Sequence, residues 1–161
     1  MTFIVDSREY GYMKKALRNA GLPLWETLVD EPGRGDFYWV TPQGLYCVEH
    51  KSVKGLIPDF FGRPTRQLMD MLQYAEVNNT KQAVLAIEGV CVEAPDGNCW
   101  AFQFSRDRKV FYRPEIIQVS FNSWQAWKLS MSLRDILVLE YPNTAALATA
   151  MFSLYLSLIH I

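Results

Sequence analysis

The stretch GDFYWVTPQGLYCVEHKS, residues Gly35 to Ser52, decides the fold. It contains two extended apolar runs joined by the turn sequence TPQG, which predicts an antiparallel β-hairpin. The first run starts beside Asp36, and the second ends with Glu49 and Lys51. Charged side chains next to aromatic and β-branched residues indicate either a solvated strand end or a site with a chemical role.

The period of a β-strand fixes which of these side chains share a face. Successive strand residues point to opposite faces, so Glu49 and Lys51 lie on one face and His50 points outward on the other. Because Asp36 begins the antiparallel partner strand, the hairpin brings its carboxylate level with Glu49. Two carboxylates on one face, with the His50 carbonyl as a further ligand, form an oxygen site suited to Mg²⁺ or Mn²⁺. A solvated Glu49–Lys51 ion pair explains the same residues, and both interpretations stay open.

The composition of the chain limits its class. Of the 161 residues, 50% are hydrophobic and 14% aromatic, which predicts one domain over residues 1–161 with a substantial core. Charged residues make up 20% and the formal net charge is −1, which excludes a disordered or generally polybasic chain but leaves room for a local DNA-binding patch. Three cysteines without CxxC spacing predict reduced thiols, and the N-terminus has no secretory signal pattern. Both observations favour a cytoplasmic location.

Strand and helix patterns alternate outside the hairpin. The predicted strands are Thr2–Val5, Gln82–Gly89 and Asp135–Glu140, and the predicted helices are Arg8–Asn19, Thr65–Asn78, Pro114–Ser132 and the segment from Asn143 onwards. Between them, Val90–Arg113 is expected to be irregular or hairpin-like, with a turn at Gly97. This alternation predicts an α/β fold with a central mixed β-sheet flanked by helices on both faces.

The C-terminal segment has two interpretations. With His160 neutral, no charged residue occurs from Asn143 to Ile161, a length near that of a membrane span. However, Thr149, Ser153 and Ser157 recur every four residues and form a polar stripe on one helical face. This stripe favours a helix packed against the sheet and no membrane partner. Because the sequence ends on SLIHI without a polar tail, we expect a truncated or foreign C-terminus.

Five short motifs follow one another along the chain: VDSRE (Val5–Glu9), GD (Gly35-Asp36), VEHKS (Val48–Ser52), GRPTRQ (Gly62–Gln67) and VLAIEG (Val84–Gly89). Each motif is weak by itself, but five in register are a strong signal. Together they resemble the nuclease domain of the XPF family of structure-specific endonucleases, within the PD-(D/E)xK superfamily, over nearly the whole chain. The resemblance implies a restriction-endonuclease-like nuclease fold. It also implies a Mg²⁺- or Mn²⁺-dependent endodeoxyribonuclease acting on branched or single-strand/double-strand junction DNA.

The resemblance assigns roles by position in the motifs. Asp36 and Glu49 correspond to metal ligands, and Lys51 corresponds to the catalytic lysine. Asp6 corresponds to a further metal ligand, and Glu9, from the same opening motif, joins the catalytic set. A capping pair for the first helix is an alternative explanation of Asp6 and Glu9, and the two roles are compatible.

The predicted DNA-contacting residues come from three segments. Arg8 belongs to the opening motif, and Arg63, Arg66 and Gln67 belong to GRPTRQ. The third segment, 105–113, interleaves basic residues with Phe and Tyr, a pattern suited to phosphates and unpaired bases. Its candidates are Arg106, Arg108 and Lys109. A solvated hairpin explains this segment equally well, and a plain surface charge explains Arg63.

Two positions depart from the family pattern. His50 stands where the family has an arginine, and Gly55 stands where it has an aspartate, with Asp59 four residues further on as a candidate substitute. The glutamate of VLAIEG, Glu88, is as compatible with a structural role as with a functional one.

Eukaryotic and archaeal members of the family add a helix-hairpin-helix module for DNA binding and dimerisation. No counterpart is evident in this sequence, so a standalone domain resembling phage or bacterial versions is expected, in a bacterial or phage-infected cell. A homodimer stays open. The alternatives to an active junction nuclease are a catalytically inactive DNA-binding module, which Gly55 favours, and a recombination or restriction nuclease of the same superfamily.

Overall fold

The computed structural model of the protein describes residues 3–29, 34–42, 44–78, 80–103 and 114–159, with only the backbone described at 76–78, 80, 81, 158 and 159. Its strands are β1 (Phe3–Asp6), β2 (Leu24–Thr27), β3 (Phe37–Thr41), β4 (Gly44–Ser52), β5 (Thr80–Glu88), β6 (Val90–Glu93), β7 (Asn98–Phe102), β8 (Glu115–Ser120) and β9 (Ile136–Tyr141). Its helices are α1 (Gly11–Ala20), α2 (Val53–Leu56), α3 (Arg63–Asn78), α4 (Phe121–Leu133) and α5 (Thr144–Ile159), with a 3₁₀ turn at Ile57–Asp59.

A six-stranded sheet in the order β2-β1-β3-β4-β5-β9 forms the centre of the fold. β3 and β4 form the predicted antiparallel hairpin, in which Phe37 pairs with Val48. β4, β5 and β9 are parallel, and β1 points the same way because it is antiparallel to β3. The predicted mixed sheet is therefore confirmed. The carboxyl ends of β1, β4, β5 and β9 lie at one edge, the edge at which open α/β sheets bind ligands.

Both faces of this sheet are covered. α1 and α5 cover one face, where the buried cluster includes Phe3, Leu17, Trp39 and Met151. α3, α4 and the antiparallel three-stranded sheet β6-β7-β8 cover the other face, with a cluster that includes Leu68, Leu85 and Trp124. A strand buried on both faces reads as a continuous apolar run, which accounts for the sequence of β5.

The N-terminal helix and the Pro114–Ser132 segment differ from their predictions. The predicted helix Pro114–Ser132 is wrong in its first part, because Glu115–Ser120 is β8. The sequence EIIQV has β-branched residues that favour a strand, and pairing with β7 supplies its hydrogen bonds. α4 then begins after Ser120, whose hydroxyl accepts a hydrogen bond from the Ser123 amide at 3.4 Å. α1 begins at Gly11 rather than Arg8, because residues 6–9 form a turn in which the Glu9 amide donates to the Asp6 carbonyl.

The C-terminal helix packs on the sheet as predicted. Leu147 and Met151 are fully buried, and the side chain of Asn143 caps the first turn by accepting from the Ala146 amide at 2.8 Å. The polar stripe of Thr149, Ser153 and Ser157 is exposed, and its hydroxyls donate to carbonyls of the same helix. Among the described residues, no helix is long and apolar enough to cross a membrane.

Candidate active site

The turn before β3 places Asp36 at the carboxyl end of β4. Gly35 has φ +75°, and a Cβ at this position would lie 2.3 Å from the Val48 carbonyl oxygen. Only glycine fits this approach of two backbones. The Asp36 amide then donates to the same Val48 carbonyl at 2.8 Å. The GD motif is therefore a geometric unit in which the glycine lets the aspartate reach β4.

Asp36 and Glu49 are brought together as the sequence predicted. Oδ2 of Asp36 accepts a hydrogen bond from the His50 backbone amide at 2.7 Å. Burial, followed by the negative charges of Glu49 and Glu9, raises the pKa of Asp36 to about 7. Two carboxylates this close destabilise each other when both are charged. A cation between them would remove that cost.

Lys51 lies beside this pair. Its Nζ is 2.9 Å from Oε1 of Glu49, and the Glu49 side chain is 8% exposed against 25% for Lys51. The alternative interpretation of Glu49 and Lys51 as a solvated ion pair is therefore wrong for Glu49, because its carboxylate is buried. The ammonium group is partly accessible from the cleft, so it can reach a bound phosphate as well as Glu49.

Asp6 has a different partner from the one its motif implies. Its buried carboxylate accepts from the Arg8 amide at 2.9 Å and from the Arg8 guanidinium at 2.6 Å. These contacts with Arg8 hold the pKa of Asp6 below its usual range. Within the part of the chain that the structure describes, no group of three or more His, Cys, Asp and Glu side chains is placed to hold a metal. Asp36 and Glu49 thus form a pair, and Asp6 is held by Arg8 instead of completing a triad.

Arg8 is also fixed in place. Its Nη2 donates to the Val29 carbonyl at 2.6 Å, while 62% of its side chain remains exposed. The motif DSRE therefore builds an anchored guanidinium at the end of β1. This geometry is suited to contact with a phosphate, because a fixed fork of donors loses little entropy on binding.

His50 is not directed outward, and that expectation is wrong. The residue is 7% exposed, because the face of β4 opposite Glu49 is also covered. Its Nδ1 lies 3.2 Å from Oε2 of Glu9, and its Nε2 lies 3.1 Å from Oε2 of Glu88. Burial by itself would lower the pKa of His50, but the bonds to Glu88 and Glu9 outweigh it and raise the pKa to about 10. This raised pKa favours the protonated ring, which lies between two buried carboxylates.

The network around His50 was only partly visible in the sequence. Glu88 ends β5 and lies beside Ser52, two residues past the partner of His50, so strand alternation puts it on the His50 face. The Thr144 hydroxyl donates to Glu88 at the start of α5. The sequence feature that could have indicated this network is Glu88, an acid at the end of the strand next to β4.

The capping role considered for Asp6 and Glu9 is wrong. α1 has no side-chain cap, and Glu9 Oε1 instead accepts a hydrogen bond from the Tyr10 amide.

The charged groups open into a cleft between the carboxyl ends of the strands and α3. One part of it, of about 760 Å³, is lined by Asp36, Lys51 and Gly55 among others. An adjoining part of about 630 Å³ is lined by Glu49 and Arg66 among others. Both parts are lined by Asp6, Arg8, Asp36, Arg63 and Gln67. The predicted DNA contacts Arg106, Arg108 and Lys109 lie outside the described residues.

Gly55 and Asp59 differ in their relation to this cleft. Gly55 lines it, whereas Asp59 is exposed in the 3₁₀ turn with its carboxylate against Gly62, and does not line either part described above. Asp59 is therefore not positioned in this structure as a replacement for the aspartate expected at position 55. A Cβ at Gly55 would lie 2.9 Å from Oγ of Ser52, the hydroxyl that caps α2.

The donor set fits a hard divalent cation. Mg²⁺ in proteins is commonly held by one or two carboxylates while water fills its other positions. Asp36 and Glu49 supply two carboxylates next to an open cleft. The sequence prediction of Mg²⁺ or Mn²⁺ at this pair is compatible with the geometry.

No protein-family model matches the chain, and no curated protein matches it. Among solved structures, XPF from Aeropyrum pernix superposes with a TM-score of 0.65 at 18% sequence identity, covering 98% of this chain and 65% of the other. This chain has the fold of the XPF nuclease domain. XPF from the same organism in complex with DNA superposes with a TM-score of 0.61 at 16% identity, covering 97% of this chain and 64% of the other. The chain thus spans just under two thirds of these XPF chains, and the fold that its five motifs predicted is confirmed.

Proposed function

We propose that this protein is a divalent-metal-dependent DNA endonuclease that hydrolyses phosphodiester bonds at branched or single-strand/double-strand junctions. The observation that carries the proposal is the pairing of Asp36 with Glu49, beside Lys51, at the mouth of a cleft lined by arginines. The likeness of the fold to XPF, which has been solved with DNA, supports the choice of DNA as the substrate.

Asp36 and Glu49 would hold the metal in this proposal. A bound Mg²⁺ or Mn²⁺ lowers the pKa of a water molecule and neutralises charge on the phosphate. The two carboxylates keep their positions through protein contacts: the His50 amide holds Asp36, and Lys51 holds Glu49. Asp6 acts in this scheme through Arg8, whose guanidinium it orients towards the cleft.

Lys51 would act on the reacting phosphate. Its Nζ sits 2.9 Å from Glu49 and reaches the cleft, so it can orient the attacking water or donate to the phosphate oxygens as their negative charge grows. Arg8, Arg63 and Arg66 would bind neighbouring phosphates, since all three line the cleft. The Gln67 amide oxygen is buried and lacks a hydrogen-bond partner within the described residues, so an incoming water or DNA donor would satisfy it.

The experiment is cleavage of end-labelled DNA. Duplex, flap, fork and four-way junction substrates are incubated with the protein in Mg²⁺, in Mn²⁺ and in EDTA. Cuts near junctions that require metal, and that disappear in Asp36→Asn, support the proposal. Equal cutting of plain duplex would favour the restriction-type alternative. Metal-independent cutting retained in Asp36→Asn would indicate a contaminating nuclease and would count against the site.

A DNA-binding module without catalysis is the second candidate, and Gly55 is the observation that favours it. If the wild-type protein binds junctions but cuts none, the carboxylate missing at position 55 becomes the explanation. Gly55→Asp then tests it, although the new side chain must displace the Ser52 hydroxyl that caps α2. Gly55→Ala is the matched control, because it adds the same Cβ next to the Ser52 hydroxyl without adding a carboxylate. Cleavage gained by the Asp variant alone would show that the fold had kept the remaining machinery.

A further inference from the structure

Gln103 lines the cleft from the side of the second sheet, β6-β7-β8. The residue directly follows β7 and borders the part of about 760 Å³ together with Asp36 and Lys51. Of the described residues that line this part, Gln103 is the only one from the chain segment that forms the second sheet. It belongs to none of the five motifs, and the proposed function gives it no role.

A close backbone approach places Gln103 beside the end of β5. A Cβ added at Gly89 would lie 2.9 Å from the carbonyl oxygen of Phe102, the residue before Gln103, and 2.6 Å from Val53 Cγ1. Gly89 also has φ +117°, a conformation that glycine adopts without strain. The glycine that ends the motif VLAIEG therefore lets the end of β7 pack against the carboxyl end of β5. Gln103 is thereby held next to the strand ends that carry the site.

The side-chain oxygen of Gln103 is buried and has no hydrogen-bond partner among the described residues, and the same is true of Gln67 Oε1 in the same part of the cleft. The other such atoms in the described part of the chain are the indole nitrogens of Trp39 and Trp124, which lie in the apolar core. Buried polar groups are nearly always hydrogen-bonded, because an unpaired one destabilises the fold. Two unpaired oxygens in one cleft indicate that a ligand supplies the missing donors.

The donor that the Gln103 oxygen lacks is not a DNA phosphate. An amide oxygen only accepts hydrogen bonds, and phosphate oxygens within a DNA strand also only accept them. Deoxyribose within a strand carries no free hydroxyl group. The donors that DNA offers are therefore the N–H groups of its bases. Glutamine is suited to such groups, because its oxygen can accept from the adenine amino group while its amide nitrogen donates to the ring.

The recessed position of this oxygen determines which bases can reach it. Gln103 is half-buried as a residue, while its Oε1 is shielded from solvent. The terminal torsion of glutamine is soft, so the amide can turn towards a donor that enters the cleft. A base inside a duplex is held in its stack and pairs through its amino group. An unpaired base can enter a pocket and present its Watson–Crick edge there.

We propose that Gln103 accepts a hydrogen bond from the amino group of an unpaired nucleobase next to the scissile phosphate. The inference rests on the proposed function and specifies its substrate: a strand with an unpaired adenine, cytosine or guanine beside the cut. Thymine has no amino group, so an unpaired thymine at this place should bind less tightly.

The test measures binding in EDTA, so that cleavage plays no part. Pairs of forked DNAs differ only in one amino group on the unpaired bases next to the junction: adenine against purine, cytosine against 2-pyrimidinone, and guanine against hypoxanthine. The variant is Gln103→Met, which keeps the length of the side chain and removes the amide. Gln118→Met is the control, because Gln118 is exposed in β8 and lines neither part of the cleft.

Wild type and Gln118→Met should bind the fork with the amino group about 2- to 12-fold more tightly in at least one pair, the range for one net hydrogen bond. Gln103→Met should abolish this preference and leave the affinity for blunt duplex nearly unchanged. The absence of any preference in wild type, or a preference that Gln103→Met retains, would overturn the inference. An equal loss of affinity for both members of every pair would also overturn it, because the amide would then hold a water molecule or a phosphate.

Thermal melting without DNA supplies a second readout. Replacing an acceptor that has no partner with an apolar group of similar shape should not destabilise the protein. The Tm of Gln103→Met should therefore equal or exceed that of wild type. A fall in Tm larger than that of Gln118→Met would show that the amide is already bonded within the protein, and it would overturn the inference.

The two proposals fail in different ways. If wild type prefers an amino group through Gln103 but never cuts with Mg²⁺ or Mn²⁺, the base contact stands and the endonuclease proposal fails. If wild type cuts junctions but binds both members of every pair equally, the endonuclease stands and the base contact fails. An absence of wild-type binding to every DNA in the panel would overturn both.

Discussion

The backbone amide of His50 lies 2.7 Å from Oδ2 of Asp36 and donates a hydrogen bond to it. The ring of the same histidine is held between Glu9 and Glu88 on the opposite face of β4. One residue therefore joins a buried ionic network to the carboxylate proposed as a metal ligand. The network therefore meets Asp36 through the backbone amide of His50, and the negative charge of Glu9 also contributes to the raised pKa of Asp36.

The first prediction concerns His50 and stability. His50→Gln leaves Glu9 and Glu88 buried without the cation between them, and such a loss costs on the order of 3–5 kcal/mol of unfolding free energy. The pKa of His50 is about 10 in the folded protein against 6.5 as the ordinary value. The charged ring thus stabilises the fold fully below about pH 6.5, and this contribution is lost as the pH rises through 10.

Urea denaturation of wild type and His50→Gln at several pH values from 6 to 10 measures this effect. The difference between the two proteins should be largest at pH 6 and should shrink steadily towards pH 10. Glu93→Gln, a change at an exposed position of β6, is the control and should show no such trend. A difference that is the same at pH 6 and pH 10 would mean that the ring is neutral and acts only by packing.

The second prediction concerns the metal. At 100-fold excess over its Kd, a ligand that binds only the folded state adds about 2.7 kcal/mol, which is about 5–10 °C in Tm for a chain of this size. Mg²⁺ or Mn²⁺ should raise the Tm of wild type by this order, and Asp36→Ala should abolish the rise. Thermal melting with and without metal is the measurement, with Glu93→Gln as the variant that keeps the full response. A normal metal response in Asp36→Ala would place the site elsewhere.

The third prediction concerns pH and Asp36. Its pKa of about 7 in the folded protein, against 3.8 ordinarily, means that the folded state binds the proton more tightly. In the absence of metal, the unfolding free energy should therefore decrease as the pH rises from about 4 to about 7, because Asp36 becomes charged in its buried site. At pH 8 in EDTA, Asp36→Asn should be more stable than wild type. Metal must displace the same proton, so Mn²⁺ affinity should rise about tenfold per pH unit up to pH 7 and then level off. Titration calorimetry at pH 6, 7 and 8 measures it, and an affinity independent of pH would contradict the shift.

Local patterns in the sequence were enough to predict the pairing of Asp36 with Glu49, whereas His50 depended on contacts that the local pattern does not contain. The antiparallel pairing of β3 with β4, in which Phe37 lies opposite Val48, places the two acids on one face together with strand alternation. The burial of His50 depends on β5 lying parallel to β4 and on α5 bringing Thr144 to Glu88. Those are long-range pairings. Likewise, the sequence identified Asp6 as an acid near the site. Its hydrogen bonds with Arg8, however, depend on the turn that follows β1.

The fourth prediction concerns DNA affinity. With a net charge of −1, binding must come from a local basic patch. We expect steep salt dependence, and we expect replacement of Arg106, Arg108 and Lys109 by alanine to reduce the slope of log K against log salt by about 2–3, near one unit per phosphate contact. Fluorescence anisotropy across a salt series measures the slope. The surface charges Lys15, Arg18 and Arg134 form the matched control triple, and an equal effect of both triples would show that only net charge matters.

The fifth prediction separates catalysis from binding and concerns Lys51. Its Nζ contacts Glu49 at 2.9 Å and shares a face of β4 with it, so the ammonium group lies next to the proposed metal rather than along the rim of the cleft. A group in this place acts mainly on charge that develops in the transition state. Lys51→Ala should therefore lower the single-turnover cleavage rate by on the order of a hundredfold or more at saturating DNA, while DNA affinity in EDTA changes only a few fold.

Lys54→Ala is the control for Lys51→Ala, because Lys54 is the second residue of α2, lines neither part of the cleft, and has its Nζ 3.9 Å from the exposed Glu115. It should cleave at the wild-type rate. If Lys51→Ala instead binds DNA weakly and cleaves normally once saturated, the lysine is a phosphate anchor and the water or transition-state charge is handled by another group. Lys51→Arg distinguishes the two roles further, since a guanidinium keeps the charge for anchoring but does not place a compact ammonium beside Glu49. Retained binding with lost cleavage in Lys51→Arg would assign the catalytic role to the ammonium group itself.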